Sequence, residues 1–113
     1  MGFLSDIFDR SAAKERRSKA ELAKRLNGKP LKCVCERING IEEIIARDGA
    51  IVMDDGDIVI YGGTDPVFRA DFMTVNAGEL RSLEGLVVQG IDRLSGNDRS
   101  IVAYYKYWRS VSN

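Results

Sequence analysis

Residues 86–108 constrain the fold more than any other part of the chain. They read Leu-Val-Val-Gln-Gly-Ile-Asp-Arg-Leu-Ser-Gly-Asn-Asp-Arg-Ser-Ile-Val-Ala-Tyr-Tyr-Lys-Tyr-Trp. Two runs rich in β-branched and aromatic residues flank a polar corner, Ser95-Gly96-Asn97-Asp98, which is how a β-hairpin is written in sequence. The expected fold therefore finishes in strand and not in a closing helix. Pairing Arg93 with Arg99 across the corner sets Ile91 against Ile101 and Val87 against Tyr105 on one face. On the other face Gly90 meets Val102, Val88 meets Tyr104, Leu86 meets Lys106, and Trp108 lies opposite Glu84. Both faces are largely apolar in this register. One can line a core; the other needs a cover, from the N-terminal helix or from another chain.

The strands continue upstream. Residues 31–38 alternate until Asn39-Gly40 breaks the pattern. Residues 42–47 read equally as strand or helical turn. Residues 50–53 and 58–61 are expected strands joined through Asp54-Asp55-Gly56-Asp57, a tight-turn sequence. Gly62-Gly63-Thr64-Asp65-Pro66 is the next turn. A strand over residues 67–75 puts Val67, Arg69 and Asp71 on one face and Phe68, Ala70 and Phe72 on the other. Residues 79–82 fit a helical turn or a short strand. Six or seven short strands at this spacing predict a mainly β (α+β) fold: a small antiparallel barrel or curled sheet with an N-terminal helix.

The first 28 residues differ in kind. Residues 1–27 carry seven basic against four acidic residues, and residues 28–113 ten against thirteen, so the arm is +3 and the remainder −3. Residues 3–26 read as helix, built largely from good helix formers, with a thin apolar face of Ala12, Ala13, Ala20, Leu22, Ala23 and Leu26. Asn27-Gly28 stops it, and Pro30 bars its return. The expected division is a basic helical arm over 1–28 and an antiparallel β domain over 29–113. An edge so narrow docks by a single seam or needs a partner.

The sequence excludes several chemistries. It contains no histidine, which removes the commonest general base, His-dependent triads and imidazole metal sites. It contains no G-x-x-x-x-G-K-[ST] and no G-x-G-x-x-G. No acid–base pair stands out by spacing, so the chain reads as non-enzymatic, with no cofactor and no metal. Net charge is zero, with Lys+Arg and Asp+Glu both 17, which argues against nucleic acid as the main partner. No signal peptide and no membrane span are expected, and Asp6 stands where a myristoylation pattern wants Ser or Thr. A cytoplasmic location is the default expectation.

Four features have two readings each. Cys33 and Cys35, two apart on a strand, are expected to share a face with Leu31 as buried, metal-free core thiols; the rival reading is a thiol enzyme or sensor, or zinc shared across a dimer. Asp54-Asp55-Gly56-Asp57 reads as a hairpin turn and not as a calcium loop. Tyr104, Lys106, Tyr107, Trp108 and Arg109 interleave rings with cations; they suit core and helix docking, or a stacking platform for nucleic acid used together with the basic helix. Phe3, Leu4, Ile7 and Phe8 suit a hydrophobic plug against the sheet or a partner subunit, or a weak membrane-surface anchor.

The segment Asp57-Ile-Val-Ile-Tyr, then Val67-Phe-Arg, Gly78-Glu-Leu and Val102-Ala-Tyr-Tyr-Lys-Tyr resembles a group of short bacterial proteins over residues 31–109. The resemblance rests on core-type residues and implies no catalytic or binding residues. The strand succession is also similar in outline to bacterial pleckstrin-homology-like barrels. Those barrels end in a helix that plugs one mouth, a place that the N-terminal helix could take here. Lipid headgroup binding is not implied. The functional expectation is a non-catalytic interaction module that self-associates as a homo-oligomer. Its expected surface is Phe3, Leu4, Ile7, Phe8, Tyr104, Lys106 and Trp108.

Overall fold

A computed structural model describes residues 17–106 of the chain. A helix over residues 17–26 (α1) precedes seven strands: β1 (Lys29–Ile38), β2 (Ile41–Asp54), β3 (Asp57–Gly62), β4 (Asp65–Asp71), β5 (Asn76–Glu79), β6 (Gly85–Ile91) and β7 (Asp98–Tyr105). They form one antiparallel sheet in the order β4-β3-β2-β1-β7-β6-β5. This is the mainly β, curled-sheet fold with an N-terminal helix that the sequence predicts. The sheet does not close: β4 and β5, its terminal strands, share no ladder.

Turn chemistry sets the ladder. Asn39-Gly40 (φ 53° and 80°) and Asp55-Gly56 (φ 50° and 83°) are two-residue hairpin loops with both residues left-handed. Loops of that kind match the right-handed strand twist, and Asn, Asp and Gly adopt the conformation at least cost. The ambiguous residues 42–47 are strand, because the Asn39-Gly40 turn returns them along β1. β2 then bends at Asp48 (φ 58°). A Cβ on Gly49 would fall 1.8 Å from the Tyr61 carbonyl oxygen, so the close approach of β3 demands glycine.

The inner face carries the core: Leu31, Val34, Ile51, Ile58, Ile60, Phe68, Ala70, Phe72, Leu86, Val88, Ile101, Ala103 and Tyr105, all buried. The alternation expected for residues 67–72 holds, although β4 ends at Asp71. α1 docks on this core by one narrow edge, with Leu26 fully buried and Leu22 and Ala23 beside it. It bridges the two halves of the sheet. The Lys19 ammonium donates to the carbonyls of Phe72 (2.6 Å) and Val75 and lies 5.3 Å from the Phe72 ring centroid. Arg25 pairs with Glu79 of β5 at 2.8 Å. Past the helix, Gly28 donates to the Ile51 carbonyl, and Asn27 Oδ1 accepts from the Met53 N–H. Residues 3–16 of the expected helix lie outside the described residues.

Two expected registers are corrected. In the terminal hairpin Val87 meets Val102, Val88 meets Ile101, Leu86 meets Ala103 and Ile91 meets Asp98. The expected pairing of Arg93 with Arg99 is shifted by three residues because Asp92 belongs to the corner: its carboxylate accepts from the N–H groups of Leu94 and Ser95. Glu84 accordingly faces Tyr105, whose N–H donates to its carbonyl at 2.8 Å; Trp108, expected opposite Glu84, lies outside the described residues. In β1 the pairing with β7 slips between Leu31 and Cys33. Lys32 is the extra residue, so Leu31 points inward while Cys33 and Cys35 share the outer face.

Candidate interaction surface

Among the described residues the sheet could expose unpaired backbone at the edges of β4 and β5, at the end of β6 past β5, and along the part of β2 that β3 does not reach. The edge of β4 is covered by charge. Asp92, fully buried, accepts from the Arg69 N–H (3.0 Å), the Ser95 hydroxyl (2.8 Å) and Arg99 Nη1 (2.9 Å), besides the two corner N–H groups. Arg99 also donates Nε and Nη2 to Glu36 as a fork (3.0 and 2.9 Å) and Nη1 to the Val67 carbonyl of β4 (2.8 Å). The Arg93 N–H donates to the Arg69 carbonyl at 2.7 Å. The β6–β7 corner thus engages both backbone groups of Arg69, and Arg99 of β7 takes the Val67 carbonyl.

A second cluster extends this seam. Asp57 accepts from Arg69 Nε at 2.7 Å and pairs with Arg93 at 3.0 Å, while Arg69 reaches Asp54 at 3.0 Å. Burial pushes the carboxyls of Asp92 and Asp57 up, but their donors outweigh it and hold both below the usual range. The Arg99 fork holds Glu36 low as well. Every one of these charges is consumed by the fold, and the arrangement is a clamp without a free acid or base. At the other edge, α1 ties β5 through Arg25 and Glu79.

The part of β2 beyond β3 is open. β3 pairs with β2 only from Gly49 to Asp54. β1 pairs with β2 along its whole length. The outward edge of residues 41–47 therefore meets no strand among the described residues. Ile38, Ile41, Ile44 and Ile45 are all exposed on this overhang, Ile41 by 65%. Four exposed isoleucines on one hairpin, Ile44 on the outer face with Cys35 and the pair Ile38 and Ile41 on the opposite one, are the sort of apolar exposure that marks an interaction site. Among the described residues, the other large exposed apolar side chains, Met73, Leu83, Ile91 and Leu94, sit on turns or strand ends.

The expected surface residues divide. Phe3, Leu4, Ile7, Phe8 and Trp108 lie outside the described residues, as do Tyr107 and Arg109. Lys106 is exposed beyond the end of β7, its N–H donating to the Pro30 carbonyl at 3.0 Å. Tyr104 is half-buried on the outer face, packed with Val87 and Leu80 against the cluster of Cys33, Cys35 and Val102. Its hydroxyl donates to Glu42 Oε1 at 2.7 Å. The terminal hairpin thus reaches the overhang at Glu42, on the outer face. The overhang itself is not among the residues singled out from sequence. Ile-Glu-Glu-Ile-Ile over 41–45 holds the signal, but only strand pairing shows that its edge is left free.

The thiols sit beneath Tyr104, both free and buried. Burial, reinforced by the neighbouring Cys33, pushes the Cys35 thiol from 9.0 to about 11, so it is a poor nucleophile at neutral pH. The hydrogen bond to Glu42, with burial, pushes the Tyr104 hydroxyl up to about 12. Among the described residues no group of three or more His, Cys, Asp or Glu could hold a metal ion, and no helix is long and apolar enough to cross a membrane. The basic-helix reading loses Lys19 and Arg25, which are bonded to the sheet and its turns. Comparison with protein families, curated proteins and solved structures finds no match.

Proposed function

We propose that the protein is a non-catalytic interaction module that self-associates. The observation that carries this reading is the overhang of β2, with its open strand edge beside exposed Ile38, Ile41, Ile44 and Ile45. The clamp and α1 tie down the two terminal strands. The seam carboxylates are all held by arginines or backbone N–H groups and the Cys35 thiol is kept protonated, which supports a binding role over a catalytic one. α1 bridging the two halves of the curled sheet supports the likeness in outline to pleckstrin-homology-like barrels, with an N-terminal helix in place of a C-terminal one. Light scattering of the full chain tests the reading. A mass above that of one chain at ~100 µM supports it, in the range where weak homodimers form; a single-chain mass there overturns it.

A further inference from the structure

The edge of β2 carries an acidic end, Glu42-Glu43, an apolar middle, Ile44-Ile45-Ala46, and a basic residue, Arg47. Laid antiparallel on a second copy, the acidic end of each strand meets Arg47 of the other; laid parallel, like meets like. In an unbroken strand residues 42 and 47, five apart, would point to opposite faces. The bulge removes that conflict. Cys35 faces Ile44 and Val34 faces Ala46, so Ile45 is an extra residue. Glu42 then pairs with Arg37 and Arg47 with Cys33, and positions 33, 35 and 37 alternate onto one face, the outer one that holds both thiols.

A twofold axis normal to the sheet requires residues facing each other across it to share a face. The bulge meets that requirement at residues 42 and 47. Centring the axis between Ile44 and Ile45 sets Glu42 against Arg47 twice, Ile44 against Ile45 twice and Glu43 against Ala46 twice. Ile41 then falls opposite Asp48, whose carbonyl is already taken by the Gly63 N–H. Arg47 is exposed and makes no ion pair within the chain among the described residues. Glu42 is held in place by the Tyr104 hydroxyl and by Arg37 at 3.6 Å.

Resting on the reading of a self-associating module, we infer that the occupant of this edge is a second copy of the same segment, paired antiparallel over residues 41–47 about a twofold axis. Main-chain hydrogen bonds join the edges, as in strand addition. The isoleucines pack across the axis and Glu42 and Arg47 fix the direction. The contact is small, so its dissociation constant falls on the order of micromolar.

Sedimentation equilibrium of the full chain, from ~1 to ~200 µM, tests it. The parent associates. Ile44→Lys and Arg47→Glu each weaken association at least about tenfold, and Leu83→Lys, on an exposed turn elsewhere, leaves it unchanged. An Arg47→Glu chain mixed with a Glu42→Lys chain places opposite charges at both contacts, and the mixture associates more tightly than either chain alone. Circular dichroism checks the fold of each variant; should Ile44→Lys not fold, Arg47→Glu and the mixture decide. If the variants associate like the parent, or the mixture gains nothing, the assignment of this edge is overturned while self-association stands. If the parent is a monomer throughout, both fall.

Discussion

Arg99 Nη1 donates to Oδ2 of the fully buried Asp92 at 2.9 Å, and this pair joins β7 to the corner that seals β4. Arg99 reaches on to the Val67 carbonyl and Glu36, so one guanidinium links β1, β4, β7 and the β6–β7 corner. Two separated halves of the sheet are held where no ladder joins them.

Asp92→Ala should therefore destabilise the protein by at least about 3 kcal/mol, the cost of leaving several buried N–H donors unsatisfied. The change leaves the N–H groups of Arg69, Leu94 and Ser95 without their acceptor, while Arg99 keeps Glu36 and the Val67 carbonyl. Urea denaturation at neutral pH measures it. A midpoint equal to that of the parent would show that the clamp does not hold the seam.

The pH profile follows from the same carboxylates. Glu36, Asp57 and Asp92 have folded pKa values below the unfolded ones of 4.5, 3.8 and 3.8. Their contribution is complete above the unfolded values and is lost as pH falls through the lower folded values. At the alkaline end the signs reverse. Cys35 is raised from 9.0 to about 11 and Tyr104 from 10.0 to about 12, so stability is complete below 9 and declines as pH rises toward 12. With no histidine to titrate, thermal midpoints should be level between about pH 6 and 8. A marked slope inside that window would contradict the assignment.

Cys35 should be slow toward a thiol reagent. A rise from 9.0 to about 11 lowers the thiolate fraction at pH 8 about 100-fold, before any shielding by Tyr104. Labelling of Cys33→Ser, which leaves one thiol and keeps the burial that is the largest cause of the rise, should be at least about tenfold slower in buffer than in denaturant. Equal rates would mean that the outer face is open over the thiol.

Gly49→Ala probes the bend in β2. The new Cβ would lie 1.8 Å from a backbone oxygen of β3, which no side-chain rotation relieves. The expected loss is at least about 3 kcal/mol, read from denaturation midpoints. Gly63→Ala, with no atom near its Cβ position but a φ of 64°, should cost about 1 kcal/mol. A Gly49→Ala protein as stable as the parent would mean that β2 does not turn there.

Much of the fold is legible in the sequence because hairpins of this kind obey local rules. Asn39-Gly40 and Asp55-Gly56 announce left-handed two-residue turns, and Phe68, Ala70 and Phe72 show the period of a strand. What local rules miss is the extra residue. Lys32 and Ile45 look like ordinary strand positions, yet each is a bulge set by the neighbouring strand, and each reverses which face the next residues occupy. Asp92 misleads for a related reason. It reads as the last turn of a strand, while its carboxylate folds the corner by accepting N–H groups from both sides of the gap. The candidate surface was hidden in the same way: the isoleucines of 41–45 are plain in the sequence, and the absence of a partner strand beside them is a property of the topology.

Hydrogen exchange of backbone amides in the full chain, compared at ~1 and ~200 µM, tests the central claim most directly. The edge pairing predicts that exchange slows at the higher concentration for outward-facing amides between Ile41 and Arg47, while amides of β3–β6 keep the same rates. Exchange at residues 41–47 that is indifferent to concentration, or slowing confined to another part of the sheet, would contradict it.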